Sequence, residues 1–118
     1  MPRRAEPRRV QFPGADYPDA YVILPAEWLG AHLLRRDEAV RAAQAHPHAN
    51  ATLTVATVAL ALADEWGGIP GLSGDDPAHW DLTQTPLPLL LWLEVVVWRD
   101  FLMTFEVPKN SSAPLPAG

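Results

Sequence analysis

The stretch ATLTVATVALALA, residues 51–63, contains no charged side chain. Its large apolar residues, Leu53, Val55, Val58, Leu60 and Leu62, fall on all sides of a helix, with alanines between them. A helix that is apolar all round has no face to offer water and must lie inside the protein. The Thr-Leu-Thr-Val opening would also suit a strand, but the Ala-Leu-Ala-Leu-Ala run that follows favours helix. Asn50 is placed as the N-cap. Asp64-Glu65-Trp66 closes the helix, with Gly67-Gly68 as its stop. A buried central helix sets the expected class: mainly α, a small domain of about three helices.

Towards the N-terminus, Ala31–Ala45 is rich in Ala, Leu and Arg, all strong helix formers. Its predicted start is Pro25-Ala26-Glu27-Trp28, because proline and an early acid suit a first turn. Leu33, Val40 and Ala43 are expected to face inward. Asp37 and Arg41, at i and i+4, are expected to pair on the surface. Proline in His46-Pro47-His48 ends the helix. Tyr21-Val22-Ile23-Leu24 reads as one short strand stopped by Pro25. Residues 1–19 read as a flexible Pro/Arg-rich leader with little to bury.

Towards the C-terminus, Ile69–Pro88 is a long connection marked by Pro, Gly and Asp, expected to be pinned by Trp80 with Leu72 and Leu82. A last helix is predicted from Pro86 to Phe105, with Thr85 as its cap. Leu91, Val95, Trp98, Leu102 and Phe105 recur at 4-3-4-3 spacing and are assigned to the core. Trp92, Val96 and Met103 form a second apolar set roughly 100–120° around the helix. One small core would leave that second set uncovered. Trp80, Trp92, Val96 and Met103 are therefore the expected partner-binding residues. The expected organisation is a single helical domain over 20–107 and a flexible Pro/Ser-rich tail over 108–118.

Composition narrows the function. The chain has 118 residues, the size of one domain, and a formal charge of −5. The first nine residues hold four arginines, while the rest hold 13 acids against five bases, so the body is acidic. Phosphate binding needs a basic face, so nucleic acid is not the expected partner. The absence of cysteine excludes disulfides, thiolate metal sites and cysteine nucleophiles. The arginines at the start are followed by no apolar run, so a secretory signal is not expected. Glu94, Arg99 and Asp100 interrupt the apolar segment 86–105, which argues against a membrane span.

Candidate chemistry is sparse. His46 and His48 are split by a proline, and with His32 and His79 they are expected to be surface loop histidines without a metal. Asp64-Glu65 and Asp75-Asp76 are neighbours in sequence, whereas catalytic carboxylates must flank a substrate in space. Asp75-Asp76-Pro77 has the chemistry of a turn opener. Ser73 lies in Gly71-Leu72-Ser73-Gly74, not in a nucleophile elbow, and no glycine-rich phosphate loop is present. The expectation is a protein that is not an enzyme and carries no cofactor or metal. Its five tryptophans (28, 66, 80, 92 and 98) are of the type enriched at binding hot spots. Trp66 and Trp98 are expected in the core.

The layout resembles the tail assembly chaperones of long-tailed, siphovirus-like phages. The features that carry the resemblance are Tyr21–Leu24 followed by Pro25-Ala26-Glu27-Trp28-Leu29-Gly30, then Arg35-Arg36-Asp37-Glu38-Ala39-Val40. The apolar helix ending in Asp64-Glu65-Trp66, the Gly/Pro/Trp loop, the apolar C-terminal helix and the Pro-rich tail complete it. The match covers most of residues 20–118 and is one of layout rather than of a strict motif. It implies a cytoplasmic protein of the infected host, absent from the mature virion, that keeps the tape-measure protein soluble and helps recruit tail tube protein. Self-association is compatible with that role. The rival expectation is a structural virion subunit, a head–tail connector or capsid accessory protein, using the same apolar surface permanently.

Overall fold

The computed structural model describes residues 6–105. The expected tail, 108–118, and the first five residues of the expected leader lie outside them.

Val22 and Leu24 alternate with Tyr21 and Ile23, and only the first pair is fully buried. This is the period of two expected of a half-buried strand, β2 (Tyr21–Leu24). It is not a lone strand. β1 (Arg8–Gln11) and β3 (Glu65–Gly67) pair with it on either side, giving an antiparallel sheet in the order β1-β2-β3. Arg9 lies opposite Ile23, and Ile23 opposite Glu65. The fold therefore combines the expected helices with a small sheet, and the mainly α class with one short strand is corrected to a mixed one. The leader is corrected with it. Arg8–Gln11 is a paired strand, and Phe12 and Tyr17 pack against the core.

Helix α1 (Gly30–Ala45) begins one turn later than predicted. Pro25 and Trp28 precede it. The Leu29 N–H donates to His32 Nδ1 at 2.9 Å, so the histidine takes the back-bonding role of a capping-box Glu or Gln. The buried face of α1 is His32, Ala39 and Ala43, while Leu33 is exposed and Val40 half-buried. Asp37 pairs with the adjacent Arg36 at 3.0 Å rather than with Arg41.

Helix α2 (Ala51–Leu62) is capped as predicted, with Asn50 Oδ1 accepting from the N–H groups of Thr52 and Leu53. It is buried from Ala56 to Leu60 and again at Leu62, and it packs on α1 and on the C-terminal helix. The chain leaves it at Ala63, earlier than the glycines. Glu65-Trp66-Gly67 goes into β3, where Gly67 faces the ring of Tyr21.

The connection that follows contains two 3₁₀ turns, Pro77–His79 and Leu82–Gln84. Asp76 and Asp81 cap them with their side chains. Trp80 and Leu82 are buried and Leu72 packs on the core, so the loop is pinned where expected.

The last helix is continuous but not uniform. α3 (Leu87–Leu93) runs into a π-helical turn, Glu94–Trp98, then α4 (Arg99–Leu102) and a final 3₁₀ turn, Met103–Phe105. Its cap is Pro86 rather than Thr85, whose buried hydroxyl has no hydrogen-bond partner among the described residues. The Trp28 indole N–H donates to Asp100 Oδ2 at 2.8 Å and ties the entry of α1 to α4. No helix among the described residues is long and apolar enough to cross a membrane.

Candidate partner-binding face

Both sides of the C-terminal helix are apolar, so its sequence allows two phases. The structure buries a row that neither expected stripe contained. Leu89, Leu93, Val97 and Phe101 are fully buried, at a constant spacing of four. Leu91 and Val95, assigned to the core, are 48% and 50% exposed, and Leu102 is exposed with them. Trp98 is half-buried, its ring tilted against Phe101. The side chain of Phe105 lies outside the described residues.

The π turn explains the spacing. In an α-helix a step of four residues overshoots one turn by about 40°, so three steps would wind a ridge by about 120°. In the π turn the Arg99 N–H bonds to the Glu94 carbonyl, five residues back. The wider turn absorbs the drift. The buried row 89-93-97-101 stays in the core, with α3 and the π turn against α2 and Phe101 against Trp28. The outer row, Leu87, Leu91, Val95, Arg99 and Met103, runs along the opposite side, with Leu102 beside it. All of its members are exposed, and only Arg99 is charged.

The residues expected to bind a partner are divided by this arrangement. Trp92 is 8% exposed, with its ring edge-on to Phe12 at 5.4 Å. Val96 packs on the same core, half-buried. Trp80 is 6% exposed, edge-on to Trp66, with its indole N–H donating to the Gly74 carbonyl. Of the four, only Met103 is exposed. Trp92, of the second apolar set, is covered by the chain itself, because Phe12 comes from the segment taken for a leader. What the described residues leave uncovered is the row Leu87, Leu91 and Val95, with Leu102 and Met103. A further exposed apolar group, Leu29, Leu33 and Leu34, lies on the first turns of α1 and just before it.

The histidines do not converge. No group of three His, Asp or Glu among the described residues could hold a metal ion. His32 is not on a loop but buried in α1, and burial, with Arg35 nearby, holds its pKa below the ordinary histidine value. His46 Nε2 lies 3.5 Å from Asp81, and His79 Nδ1 lies 3.3 Å from Asp76. Hydrogen bonds from Thr83 lower the Asp81 pKa, with a smaller contribution from His46. Asp64 and Glu65, with Ser73 and Asp75 from the loop that follows, come to the wall of one cavity. Asp76 turns away to cap its own turn.

Compared with known proteins, the chain matches no family model, no curated protein and no solved structure.

Proposed function

We propose that this chain is a non-catalytic holding protein that takes an amphipathic helix of a partner onto the outer row of its C-terminal helix. The observation that carries the proposal is the run of exposed Leu87, Leu91 and Val95, extended by Leu102 and Met103. An exposed apolar row of this kind, interrupted by Arg99, suits an interaction site. Residues at successive turns of one helix suit a helical partner, which offers anchors at matching intervals. The acidic body around the row favours solubility while it is uncovered.

The specific partner in this proposal rests on the resemblance of layout to tail assembly chaperones. In that proposal the row holds a helical segment of a tape-measure protein until tube protein replaces it. The test is co-expression with the tape-measure-like protein of the same genome, followed by affinity capture and size exclusion. The wild-type chain should keep that partner in a soluble complex. Leu91→Asp with Val95→Asp should lose the complex while keeping the circular dichroism and melting temperature of the wild type. A double variant that still binds would remove the row from the proposal. A wild-type chain that ignores the partner and runs alone as a discrete ring would point to a structural subunit instead.

A further inference from the structure

Away from the outer row, the structure contains a cavity of about 550 Å³ between α1, the end of α2, β3 and the loop at 72–77. That volume is within the range of small-ligand sites. Trp66 and Trp80 both line it, with their rings at 87° and their centroids 5.5 Å apart. Glu38, Asp64, Glu65 and Asp75 line it against a single guanidinium, Arg35, with the Glu65 carboxylate also accepting the Tyr21 hydroxyl. Aromatic walls with an excess of carboxylates suit an organic cation with an apolar stem: the ring faces attract its charge and the walls cover its methylenes. An anion would meet repulsion on most sides.

The mouth of the cavity adds a second constraint. β3 has β2 on one side and no strand on the other among the described residues. All three of its residues, Glu65, Trp66 and Gly67, line the cavity. An open strand edge offers main-chain hydrogen bonds to an extended chain, and alternate side chains of that chain then fall into adjacent pockets. We propose that this cavity takes the lysine or arginine side chain of an extended partner segment lying along the open edge of β3. This site is separate from the helical row and stands whether or not that row binds a helix.

The experiment uses the full chain, isotopically labelled, and three blocked tripeptides of valine with a central lysine, norleucine or glutamate. The lysine peptide should shift the amide signals of Glu65–Gly67 and the indole signals of Trp66 and Trp80, saturably. The norleucine peptide, with the stem but no charge, should bind about fivefold more weakly or worse. The glutamate peptide should give no saturable shift. Glu38→Gln with Asp75→Asn, both at exposed positions, should erase the preference for lysine while leaving the spectrum dispersed. No shift by the lysine peptide up to about 10 mM, equal binding of norleucine, or an unchanged preference in the double variant would each overturn the proposal.

Discussion

Gly68 is the residue with the least freedom to change. Its φ is +70°, and a Cβ there would stand 2.0 Å from the carbonyl oxygen of Asp19. Both the dihedral and the contact exclude a side chain, and the obstacle is backbone, which cannot swing aside. Gly68→Ala should cost about 2 kcal/mol or more, measurable by urea unfolding. His32 sets a different constraint. Its Nδ1 accepts the Leu29 N–H, which requires a neutral ring, and burial lowers its pKa. The unfolded chain therefore takes up a proton near the ordinary histidine pKa while the folded chain does not. Full stability is present above that pKa and falls as the solution is acidified from about pH 7 to about pH 5.5. His32→Gln keeps an acceptor for the cap and has no charge to gain. Its urea midpoint should fall less over that interval, and an equal fall in both proteins would exclude His32 as the cause.

At the scale of the element, the C-terminal helix carries the main decision. Its buried row keeps a spacing of four because the π turn holds one residue more than an α turn would. Removing Val95, an exposed member of that turn, should let the helix close as α with Val97 and Phe101 still facing the core. Inserting an alanine after Val95 should instead rotate everything beyond it by about 100° and expel Phe101 from the core, at a cost of about 3 kcal/mol or more. Thermal melts of the two variants should rank the deletion well above the insertion; the reverse order would mean that the π turn does not set the phase. Leu91 and Leu93 are equally apolar, and so are Val95 and Val97. Counting residues at 100° each located stripes at 91/95/98/102/105 and 92/96/103, and the row that the core takes, 89-93-97-101, is neither.

The whole molecule closes on its own N-terminal segment. β1 completes one edge of the sheet, and Phe12, just beyond it, lies edge-on against Trp92. A chain lacking residues 1–12 should lose about 2 kcal/mol or more of stability. Its tryptophan emission should also shift to the red as Trp92 meets water. Unchanged stability and emission would restore the view of this segment as a detachable leader. Self-coverage of this kind also decides which surface is left for others. Trp92 and Val96 are claimed internally, and the row at Leu87, Leu91 and Val95 is released to the outside.

What the sequence determined by itself is local. The uncharged stretch 51–63 reads as a buried helix, Asn50 as its cap and Tyr21–Leu24 as extended, because these follow from side-chain polarity, hydrogen bonding and backbone preference within a few residues. The pinned loop was legible too, since Trp80 has too much apolar surface to leave in water. Three things needed the tertiary structure. Arg8–Gln11 has a strand's partner only because β2 lies beside it, and Glu65–Gly67 only because α2 ends facing the same strand. The acids at 38, 64 and 75 share a cavity only because three elements meet there. The phase of the last helix, and with it the exposed face, was set by competition between two nearly equal apolar sides for one neighbour, a choice that depends on where α2 and Phe12 stand.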